Sequence, residues 1–120
     1  MNLLLDTHIL AWFHTEDKKL SSSAWDLIKD KRNNVFYSPI SIWEAELKYT
    51  AHPNDFPCSG NELDELCRDS DMIFLPLKSE HIFLLKTLHY SENAKKPHKD
   101  PFDRMLICQA KSENMKFLTH

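Results

Sequence analysis

Apolar residues fall in short blocks along the chain, and the spacing within each block assigns it to a strand or a helix. The runs Asn2–Leu5, Asn34–Tyr37, 72–75 and 115–118 are brief and β-prone, and read as strands. The segments between them read as helices. Ser38-Pro39 and Asp100-Pro101 each place a capping residue before a proline at the first helical position, and the serines at 21–23 open a helix carrying Trp25 and Ile28. Segments 59–68 and 78–88 supply two more helices, the second with Ile82, Leu85 and Leu88 as its apolar stripe. Residues 51–58, which include Pro53, Asn54 and Pro57, read as a loop, as do residues 90–99. Strands alternating with helices predict a mainly parallel sheet covered on both faces, with a cleft at the carboxyl ends of its strands.

Length and composition narrow this picture. At 120 residues the chain fits one compact domain, and a hydrophobic fraction of 42% with a single glycine excludes a collagen-like or disordered chain. The N-terminal apolar run is only Leu3 to Leu5, so neither a signal peptide nor a membrane span is expected, and cytoplasm is the default location. Cys58, Cys67 and Cys108 cannot all pair within one chain and form no CxxC, which favours reduced thiols; Cys108 reads as a small buried hydrophobe. A net charge of −3 argues against a general nucleic-acid coat but not against a nuclease, whose metal ions bring positive charge into the cleft. Of two basic clusters, Lys29-Asp30-Lys31-Arg32 reads as solvated surface. The other, Lys95-Lys96-Pro97-His98-Lys99, reads equally as solvated surface or as a phosphate contact through Lys99, because it runs directly into an acidic motif.

That motif belongs to a set of four carboxylates spread along the chain. Asp6 ends the first strand, Glu44 lies within a helix, and Asp100 and Asp103 open the last helix. Gathered into one cleft, such groups repel until a hard divalent cation such as Mg²⁺ joins them, leaving open positions for water and phosphate. Each also has a plainer explanation. Asp6 and Asp100 suit helix N-caps, with Asp100 further suited to supporting the ligands from behind. Glu44 lies at the edge of a stripe formed by Ile40, Trp43 and Leu47, whereas Glu46 points away from it. Asp103 heads the spacing Leu106, Ile107, Ala110 of a buried face, which solvation does not explain. Arg104 either binds phosphate or balances the acids. The seven histidines show neither HExxH nor a paired Cys/His spacing, so no structural zinc site is expected. Most of Trp12, Phe13, Trp25 and Trp43 read as core, with Trp12 and Phe13 left open as interface.

Three stretches carry a resemblance: Asn2-Leu3-Leu4-Leu5-Asp6-Thr7-His8-Ile9-Leu10-Ala11-Trp12, Ser38-Pro39-Ile40-Ser41-Ile42-Trp43-Glu44, and the run from His98-Lys99-Asp100-Pro101-Phe102-Asp103-Arg104 to Gln109-Ala110. In this order they resemble PIN-domain proteins of the VapC toxin type. The resemblance implies a three-layer α/β/α sandwich and an endoribonuclease dependent on Mg²⁺ or Mn²⁺, with Asp6, Glu44 and Asp103 as metal-holding catalytic acids. It also implies a homodimer and an antitoxin partner, as in type II toxin–antitoxin pairs. In such proteins a further acid follows a threonine of the final strand. Phe117-Leu118-Thr119-His120 resembles the approach to it, so the sequence reads as ending before that acid, with the last strand shortened. Two other readings share these residues: a non-catalytic PIN-like binding module, and a metal nuclease without a toxin role.

Overall fold

A computed structural model describes residues 1–88 and 100–120 of the chain. Among these residues, β1 (Asn2–Leu5), β2 (Asn34–Tyr37), β3 (Ile73–Phe74) and β4 (Lys116–Leu118) form one sheet in the order β3-β2-β1-β4, with every pairing parallel. Successive strands are joined by helices α1 (Thr7–His14), α2 (Ser22–Lys29), α3 (Pro39–Ala51), α4 (Gly60–Asp69), α5 (Ser79–Phe83) and α6 (Pro101–Ser112). The expected loop at 90–99 lies outside the described residues.

Side-chain alternation on β1 accounts for the layers. Leu3 and Leu5 join Ile9, Leu10, Tyr37 and Leu63 on one face, while Leu4 joins Ile40, Leu75, Leu106 and Ala110 on the other. All three strand leucines are fully buried, and each contributes about 1.5–3 kcal/mol relative to exposure. The sheet is covered on both faces, as the alternation of strands and helices predicts. Chain order reverses direction between β1 and β4, so the carboxyl ends of these two strands flank the point where a cleft forms in this class of sheet.

Local chemistry sets the helix ends. Ser21, Ser38, Ser59 and Asp100 cap α2, α3, α4 and α6 through their side chains, and Ser59 and Glu62 form a reciprocal capping box. The only glycine, Gly60, opens α4 where it crosses α3; a Cβ there would come within 2.5 Å of the Ile42 carbonyl oxygen. With no glycine left for helix exits, Glu16, Asp71 and Asn114 take up positive φ values of 53°, 62° and 55°, each one residue beyond a helix C-cap.

Three expectations need correction. The stripe Ile40, Trp43, Leu47 is not the buried face of α3: Trp43 and Leu47 are 57% and 49% exposed, and Ile40, Ser41, Glu44 and Ala45 turn inward. The helix buries polar residues, Ser41 bonded to Thr7 of α1 and Glu44 paired with Lys48 one turn on, and no apolar count registers them. Segment 78–88 is not one helix but α5 followed by a 3₁₀ turn, Leu84–Thr87; Ile82 is exposed while His81 is fully buried. His81 accepts from the Lys78 N–H at 3.0 Å, so its ring satisfies the helix start that an apolar stripe would have left bare. The third strand is shorter than residues 72–75, although the Leu75 N–H still donates to the Tyr37 carbonyl at 2.8 Å.

Candidate metal centre

Asp6 directly follows β1, and its environment follows from that position. Its N–H donates to the Leu118 carbonyl at 3.0 Å, extending the β1–β4 pairing by one bond. Its Oδ1 caps α1 by accepting from the Ile9 N–H at 2.8 Å. Its Oδ2 accepts from the Thr119 hydroxyl at 2.7 Å and lies 3.2 Å from His120 Nδ1. The carboxylate is 2% exposed and held from both strands at the reversal point. Asp6 is therefore the helix cap that the sequence suggests, and the same bonds fix the direction of both its oxygens.

Glu44 stands one turn into α3, itself launched from the end of β2 by Ser38 and Pro39. It is 1% exposed, and Lys48 Nζ lies 2.6 Å from its Oε2. Its Oε1 is buried with no hydrogen-bond partner among the described residues. A buried carboxylate with unused acceptor capacity is costly, and a cation relieves that cost. Beneath it, the Thr7 hydroxyl donates to Ser41 Oγ at 3.1 Å, tying the start of α1 to the start of α3.

His8 reports that these groups share one neighbourhood. Burial chiefly lowers its pKa; Lys48 lowers it further, Glu44 and Asp6 push it up, and His120 adds a smaller downward push. The sequence reading passed over both His8 and Lys48. The pairing of Glu44 with Lys48 at i, i+4 was the signal available for Lys48; nothing in the sequence distinguished His8 among seven histidines.

The acids of α6 are held differently. Asp100 caps the helix by accepting from the Phe102 N–H at 2.8 Å. Asp103 is half-buried in the first turn. Trp43 and Phe102, the neighbours of Glu44 and Asp103 in sequence, meet edge to face with centroids 4.8 Å apart and so hold the two helix starts together. Even so, no three His, Cys, Asp or Glu side chains among the described residues converge closely enough to share one ion. Arg104 is half-buried on the wall of a cavity of about 310 Å³ that it shares with Trp43 and Phe102. Lys99, with the second basic cluster, lies outside the described residues.

The three cysteines are buried, and burial pushes Cys58 and Cys67 up to about 11 and about 12, so neither is a ready nucleophile. No described helix is long and apolar enough to cross a membrane.

Comparisons with known proteins agree with this architecture. A family model described as the PIN domain matches residues 3–120. Among solved structures, the chain is similar to one in a crystal structure of VapBC2 from Rickettsia felis bound to a DNA fragment from their promoter. The identity is 16% and the TM-score 0.67, covering 99% of this chain and 86% of the other. No curated protein matches the sequence.

Proposed function

This chain belongs to the PIN-domain family, and from that premise we propose that it is a divalent-metal-dependent endoribonuclease, the toxin of a type II toxin–antitoxin pair of the VapC kind. The observation that carries the proposal is the pair of almost fully buried carboxylates, Asp6 and Glu44, at the sheet's reversal point, with Glu44 Oε1 unsatisfied among the described residues. Such a donor set fits a hard cation. Asp6, Glu44 and Asp103 would hold Mg²⁺, or Mn²⁺ in its place, with Asp100 supporting Asp103 through the helix start. When bound, the ion supplies a bound water of lowered pKa and offsets charge on the phosphate under attack. Asp6 contributes oriented oxygens, because the Ile9 N–H and the Thr119 hydroxyl fix them. Lys48 sets its ammonium 2.6 Å from Oε2 of the buried Glu44 and so holds that oxygen in place. Lys99 and Arg104 would contact the substrate backbone.

The similar chain in the VapBC2 structure supports an antitoxin partner here, and a cleft of buried acids would attract an Arg- or Lys-bearing tail. The exposed Trp43, Leu47 and Phe83 supply apolar surface for a homodimer. Cytoplasm follows as the location of an RNA-cleaving toxin. One observation favours the alternative of a non-catalytic binding module: no three metal-binding side chains converge among the described residues. Incubating the purified protein with mixed structured RNAs, with Mg²⁺ or Mn²⁺ and then with chelator, separates the two. Cleavage that requires both metal and Asp6 supports the nuclease; intact RNA with every metal and substrate would leave the binding module.

A further inference from the structure

Near Asp6 the surface opens into a cavity of about 590 Å³ lined by the rings of His8, Trp12, Tyr49 and His120, with buried Phe56 behind His8 and the charged Asp17 and Lys19 on the same wall. The rings contact one another: His8 meets Trp12 and Phe56 at 5.7 Å, and His120 meets His8 at 5.2 Å and Trp12 at 4.9 Å, between centroids. We propose that this cavity is a base-binding subsite that takes one unstacked nucleobase of the RNA next to the phosphate being cleaved. This inference rests on the nuclease reading and names what that reading leaves open, the feature of the substrate that is recognised.

Three observations favour a nucleobase. The volume exceeds that of one base, and the walls are flat π-surfaces of the kind on which splayed bases stack. The wall is continuous with the acidic centre, since His120 both touches Asp6 Oδ2 at 3.2 Å and packs on Trp12. A base lodged against Trp12 is then separated from Asp6 by the His120 ring alone, close enough for its adjoining phosphate to reach the acids. Finally, the rim is polar: Asn54 and Asp55 are exposed at the mouth on a segment stiffened by Pro53 and Pro57, and their amide and carboxylate can pair with base edges. Stacking would supply affinity and the rim would choose among bases.

The test uses tryptophan emission in chelator, so that RNA stays intact, with a ten-nucleotide single-stranded RNA and a series in which each base in turn is removed. The expected result is quenching on binding, with roughly tenfold weaker binding when one particular base is absent. Trp12→Leu should abolish both the quench and that difference, whereas Trp43→Leu should keep them. Should Trp12→Leu fail to fold, Asn54→Ala with Asp55→Ala, both exposed, should change which base is preferred without loss of overall binding. Equal affinity for every abasic RNA, or an equal quench in Trp12→Leu, overturns the subsite. Metal-dependent cleavage with no base-dependent binding would overturn it while leaving the nuclease reading intact. Base-dependent quenching in a protein that cleaves nothing would support base binding in this cavity and end the nuclease reading instead.

Discussion

The acids beside β1 and those that open α6 are held to different standards. On the β1 side, Asp6 and Glu44 are almost completely buried, Asp6 has all its described bonds directed, and a buried Thr7–Ser41 bond locks the helices that carry them. On the α6 side, Asp103 is half-buried at the start of a helix that rests on the smaller of the two cores. The difference teaches that preorganisation is unevenly divided. Burial and directed bonds fix Asp6 on the β1 side, whereas Asp103 on the α6 side is only half-buried, so a metal site built on the proposed acids would be preorganised chiefly from β1.

Neutralising one acid at a time tests that division. Asp6→Asn and Glu44→Gln should each reduce Mn²⁺ affinity and cleavage by at least about a hundredfold, with Asp103→Asn costing less, about tenfold. Asparagine caps a helix as well as aspartate, so Asp6→Asn should change stability by less than about 1 kcal/mol. Titrating Mn²⁺ by calorimetry beside urea unfolding separates capping from chemistry. Equal losses at Asp6 and Asp103 would mean that the two sides contribute alike.

The rigidity of the β1 side depends on α3, and Gly60 is where α3 is pinned by α4. Gly60→Ala should destabilise by about 1–3 kcal/mol, because its Cβ meets the backbone oxygen of Ile42 and no side chain can rotate to relieve it. Metal affinity should fall with stability, since Glu44 lies on the displaced helix. A urea midpoint unchanged from the unmodified protein would show that the two helices slide apart without cost.

Much of this asymmetry could not be read from the chain. The strands, the parallel sheet and the serine and aspartate caps were legible because each has a short-range cause: β-prone runs, a capping oxygen, a proline at the first turn. The acids Asp6 and Glu44 stood out for the same reason, as polar residues at the margins of apolar blocks. The face of α3 was misread because burial there is decided by Ser41 and Glu44, whose partners are 34 and 4 residues away. The aromatic wall was illegible too, since His120 meets His8 and Trp12 only when β4 lies beside β1.

His14, at the end of α1, gives the β1 side a pH signature. Burial lowers its pKa, so the folded protein favours the neutral ring while the unfolded chain titrates near 6.5. The sign is then set. His14 contributes fully above about pH 6.5, and that contribution is lost as pH falls from there through the folded value. Urea midpoints should drop between pH 7.5 and 5.5, and His14→Gln should flatten the drop, leaving a residual slope from His8, whose pKa is lowered as well. An identical slope in the variant would place the sensitivity elsewhere.

The smallest effect compares the exits of α1 and α6. Glu16 and Asn114 both hold left-handed backbone, at φ 53° and 55°. Asparagine tolerates that region because its short side chain bonds locally, whereas glutamate bears the steric cost of about 1 kcal/mol or more. Glycine removes that cost but gives the unfolded chain more freedom, an offset of about 0.4–1 kcal/mol. Glu16→Gly should therefore stabilise by roughly 0.5 kcal/mol and Asn114→Gly by close to nothing, both read as urea midpoints at an unchanged denaturant slope. The β1 side thus uses Asp6 to cap a helix whose exit is strained, while the α6 side leaves its helix through a residue suited to the turn. An equal gain from both glycines would mean that the two exits are equally strained, and that the contrast between the sides is confined to the acids themselves.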